Sequence, residues 1–276
     1  MGQGKAHFQK WWGHSRMAPM HATRWTVGPT MFIAQRESTQ WLLGVNIGPK
    51  PATPRAKCER DVNLEIADLD DDPHWDLRRF AFDRTGAGIE LRPALADRPV
   101  VSELEIPLQV LPGQTVHFFL TTPLWAQFLV DTDDAEPAVL ADLPVVRPSD
   151  TWTGSSPIQG TMGYASSTRA RMRLEDTVRL PHRALTEVVV KNRTKESLLL
   201  EDLQVPTESL ELFVDEHNLF WTSQFSLRFA NVDEGPTVKV YKTAAEARKG
   251  PPLSPVSEAR APITGVMSLL QALALS

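Results

Sequence analysis

From Arg24 onward the apolar residues of the chain recur with a period of two rather than 3.6. Over residues 219–229, Leu219, Trp221, Phe225, Leu227 and Phe229 alternate with Phe220, Thr222, Gln224, Ser226 and Arg228. That pattern predicts one long strand with a buried face. Val62, Leu64 and Ile66 alternate in the same way, as do Val116, Phe118 and Leu120, and Leu210, Leu212 and Val214. The runs PTMFIAQR, TQWLLGVNI, ALTEVVVKN, ESLLLEDL and PTVKVYK are further strand candidates. Leu111-Pro112-Gly113-Gln114 reads as a turn, with Pro presetting φ and Gly free to take a positive one. Gly86-Ala87-Gly88 and Asn192-Arg193-Thr194-Lys195 read as hairpin tips. Short strands with no helical period between them predict an all-β fold of the antiparallel β-sandwich type, built as two packed β-domains.

The acidic, apolar-poor stretch 131–137 is the expected break between an N-terminal β-domain (24–130) and a C-terminal one (138–242). Residues 1–23 read as a basic flexible arm and Gly250–Pro262 as a Pro-rich linker. The last stretch, 263–276, reads as a short helix that is apolar almost all round. At 1.5 Å per residue it is about 21 Å long, too short to cross a bilayer core of about 30 Å. Val266, Leu269, Leu270 and Leu273 form an i, i+3/i+4, i+7 stripe, the pattern of helix-in-groove docking. This segment is therefore expected to carry self-association or a protein partner.

Composition narrows the classes. With 42% hydrophobic and 23% charged residues the chain is globular, and a lone cysteine, Cys58, allows no internal disulfide and no cysteine metal cluster. Charge is divided unevenly. Residues 1–60 hold nine Lys/Arg against Glu37 and Glu59, or +7; with the whole chain at −5, the rest carries −12. The acidic total disfavours nucleic acid. No apolar run of about 18 residues and no secretory h-region is present. The cytoplasm is the expected compartment, with membrane association through a partner.

No nucleophile elbow, P-loop, dinucleotide fingerprint or H-E-x-x-H occurs, and no catalytic residue is nominated. Arg169, Arg171 and Arg173 would share one strand face, and with His182 and Arg183 they form a candidate site for phosphate or a nucleotide. His14, Met17, Met20 and His21 have copper-type side chains, but Pro19 interrupts any common scaffold. Asp68, Asp70 and Asp72 begin like a calcium loop, yet Pro73 and Arg79 stand where Gly and Glu are required. Neither a metal nor a cofactor is expected. Trp41, Trp152 and Trp221 sit in or beside apolar runs and are expected in the core; Trp11 and Trp12, in the arm, are expected to contact a partner or a membrane interface.

The order VLPGQTVHFFLTTPLW, RPSDTWTG, GYASSTRAR, LPHRALTEVVVKN and FWTSQFSLRF, over about residues 107–231, resembles an uncharacterised prokaryotic all-β family, a domain of unknown function. The resemblance implies a neighbourhood near small-conductance mechanosensitive channels for some members. It draws attention to Ser149, Asp150, Thr151, Trp152, Tyr164, Arg169, Arg171, His182, Arg183 and Trp221. Asp150 beside Arg171 or Arg183, with Tyr164 and Trp152 over the guanidinium, would form a buried network of structural or binding use. Three readings follow. The first is a non-enzymatic protein that works through protein contacts, as an accessory or regulatory subunit of a membrane-associated assembly. The second is an anion-binding or sensor domain using Arg169–Arg183, and the third a hydrolase or lyase around Asp150 and His182.

Overall fold

The computed structural model describes residues 8–49, 53, 55–62, 66–69, 71–133, 136–153, 161–231, 235–241 and 253–260. Its elements are strands and three short 3-10 turns, so the protein is all-β. The chain divides into two compact units and passes between them several times. The first unit comprises residues 1–94, 124–147 and 180–182; the second comprises 95–123, 148–179 and 183–276.

In the first unit the chain forms β1 (Gly13–Arg16), β2 (Ala22–Val27), β3 (Thr30–Arg36), β4 (Gln40–Ile47), β5 (Ala56–Val62), β6 (Asp76–Ala81) and β7 (Gly88–Ala94). It runs through β8 (Val100–Val110) and β9 (Thr115–Pro123) of the second unit, then returns as β10 (Trp125–Val130) and β11 (Ala138–Pro144). The second unit is completed by β12 (Ser149–Thr153), β13 (Thr161–Thr168), β14 (Arg183–Asn192) and β15 (Leu198–Val205). Then come β16 (Leu212–Val214), β17 (Phe220–Thr222), β18 (Gln224–Phe229), β19 (Thr237–Tyr241) and β20 (Ser254–Ser257).

The first unit packs the sheet β5-β2-β3-β4-β6 against the sheet β1-β7-β10-β11. Trp25 of β2 and Phe32 of β3 meet Phe128 of β10 edge-on, with ring centroids 5.6 and 5.3 Å apart. These are favoured aromatic geometries, and all three rings are buried. The second unit holds the sheet β12-β13-β8-β15 and a larger one, β19-β18-β14-β17-β16-β20, with β9 on the other side of β14. Asn192 at the end of β14 joins the two, donating from Nδ2 to the carbonyls of Val110 (2.9 Å) and Glu196 (2.7 Å).

Several expectations need correction. Most ladders are antiparallel, but β13 runs parallel to β8, and β14 runs parallel to β17 and β18. The 219–229 strand is interrupted at Ser223 into β17 and β18, and both faces are largely buried because β14 lies beside them in the interior. Gly86–Gly88 and Asn192–Lys195 are not hairpin tips: each joins strands of different sheets. The turn at Pro112-Gly113 forms, with Gly113 at φ +74 and Gln114 N–H donating to Leu111 O (3.2 Å). The acidic stretch around 131–133 lies inside the first unit, as Arg84–Asp133 and His14–Asp131 pairs.

The arm is built into the first unit from residue 8 onward, since Trp11 and Met17 are apolar enough to bury. Within 250–262, residues 254–257 form β20 on the edge of β16, where Pro255, which has no N–H to donate, is tolerated because among the described residues no further strand pairs beyond it. The expected helix at 263–276, with Val266, Leu269, Leu270 and Leu273, lies outside the described residues. Among the described residues no helix is long and apolar enough to cross a membrane.

Candidate functional site

Alternation gives the sheet β12-β13-β8-β15 two unlike faces. On β8, Val100, Ser102 and Leu104 point into the second unit and are buried. Val101, Glu103 and Glu105 point the other way. Ala165 and Ser167 of β13 pair with Val101 and Glu103, and Asp202 of β15 lies directly across from Glu103. A bulge between Leu200 and Asp202 brings Glu201 to the same region. These residues, with Thr151 of β12 and Pro107, line an open groove of about 700 Å³.

The groove is acidic. Glu103, Glu105, Glu201 and Asp202 all line it. Arg169 closes on Glu105 with Nε 2.7 Å from Oε2. Burial pushes the Asp202 carboxyl above its ordinary range, and the charges of Glu201 and Glu103 push it further the same way. Like charges directly opposite in a ladder oppose folding, so the fold carries this arrangement at a cost.

On the opposite face, at the β12 edge, lies a second polar cluster. Arg98, which the sequence reading did not single out, stands 5.6 Å from the Tyr164 ring centroid. Its Nη1 is 3.9 Å from Asp150 Oδ1 and 2.9 Å from Met162 Sδ. Tyr164 donates from its hydroxyl to Asp97 (3.0 Å); burial and that acceptor raise its pKa. The expected Asp150–Tyr164–arginine grouping therefore forms at the surface around Arg98, not in the interior around Arg171 or Arg183. Trp152, expected in the core, is 53% exposed there.

The proposed anion cluster does not assemble on one strand face. β13 ends at Thr168; beyond it Arg169 pairs with Glu105, Arg171 exchanges backbone hydrogen bonds with Phe119 (2.8 and 2.9 Å), and Arg173 precedes the 3-10 turn 174–176. Arg183 turns inward. It donates from Nε to Thr121 Oγ1 (2.9 Å) and from Nη2 to Thr121 O (2.6 Å), Ser166 Oγ (3.0 Å) and Ser167 O (3.4 Å). Burial pushes its guanidinium down to about 10. This is a clamp between β9, β13 and β14, made by the only side chain type that offers so many fixed donors.

His182 belongs to the first unit and is buried, its ring so close to Gly28 (φ +56) that a Cβ there would lie 2.3 Å from Nδ1. Asp150 belongs to the second unit, so the two residues of the hydrolase reading are assigned to different units. Trp11, expected at a contact surface, is buried and donates from Nε1 to Pro181 O (3.2 Å). Trp12 is half-buried, edge-on to Trp11 (5.7 Å) with Lys10 Nζ over its ring. Trp221 is buried and donates from Nε1 to Asp215 (3.1 Å), whose carboxylate also accepts the N–H groups of His217 and Leu219. That network holds the 215–219 turn.

The model of a family described as "Protein of unknown function (DUF432)" matches residues 11–267. The chain belongs to this family. The DUF432 match takes in both units and every groove residue. No curated protein and no solved structure matches the chain. Glu103 and Glu105 stand at strand spacing in VVSELEIPLQV, and Glu201-Asp202 interrupt the apolar run of ESLLLEDL. Those interruptions were the available signal for the groove.

Proposed function

We propose that this DUF432 protein works through protein contacts, and that its second unit takes a Lys/Arg-bearing segment of a partner in the groove on β13, β8 and β15. One observation carries the reading: the open sheet face sets Glu103 directly opposite Asp202, with Glu201 and Glu105 beside them. A cationic occupant relieves that repulsion, and charge complementarity of this kind supplies steering and specificity more than raw affinity. The setting that fits is an accessory role in a larger assembly. The anionic-ligand alternative has lost the shared strand face on which it rested.

Fluorescence anisotropy with labelled peptides tests the reading. A hexapeptide of alternating Lys and Val should bind the full chain, and one of alternating Glu and Val should not. Raising the salt from low to physiological ionic strength should weaken the complex markedly. The double variant E103K/D202K, at one exposed and one half-buried position of the open face, should weaken it by about tenfold or more. Equal binding of both peptides, or undiminished binding by the variant, overturns the proposal.

A further inference from the structure

We propose that the cationic segment taken by the groove is β5 of a second copy of this chain. The inference rests on the groove reading and adds the identity of the occupant. β5 is the terminal strand of its sheet, paired among the described residues only with β2. Arg55, Lys57 and Arg60 lie on or just before it and are exposed. Its two carboxylates are already held, Glu59 by Arg24 (3.0 Å) and Lys57 (2.6 Å) and Asp61 by His21 (2.8 Å), so that with Arg24 beside it the edge sets Arg24, Arg55, Lys57 and Arg60 against Glu59 and Asp61. β15, which brings Glu201 and Asp202 to the groove, is likewise the terminal strand of its own sheet. One chain therefore offers a basic edge strand on its first unit and an acidic edge on its second. This mirrors the sequence, where +7 falls in residues 1–60 and −12 in the rest.

Two acidic edges repel each other, and so do two basic ones, so a symmetric contact through either edge alone is disfavoured. The complementary contact joins unlike surfaces. It is heterologous, and repeated contacts of that kind build a ring or an open chain rather than a closed two-fold dimer. Seated in the groove beside β15, β5 sets the long side chains of Arg55 and Lys57 toward Glu201 and Asp202. Exposed ion pairs are individually weak and salt-screened, so the association should be strong only at low ionic strength.

Sedimentation velocity on the full chain over a concentration series tests this. The expected result is concentration-dependent growth at low salt that disperses at high salt. K57E/R60E and E201K/D202K should each remain monomeric alone. An equimolar mixture of the two should form a heterodimer and nothing larger, because the only intact surfaces left, the acidic groove of the first and the basic edge of the second, permit one contact per pair; detection of that dimer supports the proposal and its absence overturns it. A wild-type chain that stays monomeric while still binding the Lys/Val peptide also overturns it and leaves the groove reading standing. Failure of both assays removes both.

Discussion

Two cross-strand pairs show how differently the units handle charge. In the first unit Arg24 of β2 lies directly opposite Glu59 of β5, and Lys57 reaches the same carboxylate. The hydrogen bond from Lys57, with help from Arg24, holds Glu59 below the ordinary carboxylate range. In the second unit Glu103 of β8 lies directly opposite Asp202 of β15, and the Asp202 carboxyl is pushed upward. The same ladder geometry serves both. The first pair offsets its charges within the sheet, and the second leaves two like charges facing each other on an open surface.

The comparison is sharpened by a position where the second unit does depend on a charge for folding. Replacing Arg183 with Met should cost about 2 kcal/mol, because charge-assisted bonds to Thr121 and Ser166 are lost and their half-buried acceptors lose a donor. Arg183→Lys should recover only part of that, since an ammonium lacks the planar fork. Urea denaturation would show it, and an unchanged midpoint would mean the clamp is dispensable.

A smaller change of opposite sign is expected at the groove. Asp202→Asn should stabilise the protein at neutral pH by about 0.5 kcal/mol through relief of the like-charge pair. A carboxyl raised in the folded state takes up its proton on folding, so its penalty is full above the raised value. It fades as pH falls toward the unfolded value, and the gain from Asn should fade with it. A gain that persists unchanged into acid would point to some other cause.

The smallest effect belongs to Glu59→Gln, expected to cost a few tenths of a kcal/mol as exposed pairs do. Here the folded-state pKa is lowered, so the contribution is present above the unfolded value and is lost as pH falls through the folded one. If Glu59→Gln and Asp202→Asn moved stability in the same direction, the contrast between the two pairs would be broken.

The strands were legible because β9 and β18 fall on runs that alternate with a period of two, and β3, β4, β14, β15 and β19 on short β-rich apolar runs. Core tryptophans were legible for the same reason at Trp41 and Trp221, but not at Trp152, which lies on the edge strand β12. Turn residues announced where the chain reverses, as at Gly113, without revealing which sheet the next strand joins. The groove was the least visible. Its four carboxylates come from β8 and β15, about a hundred residues apart, and register alone sets Glu103 against Asp202. The Arg98 cluster has the same origin, in the close approach of residues 97–98 to β12 and β13. Sequence determined the all-β fold, its strands and its uneven charge, since those depend on local periodicity and composition. Which charges face one another was decided only by the tertiary structure, because register and sheet order depend on contacts between distant parts of the chain.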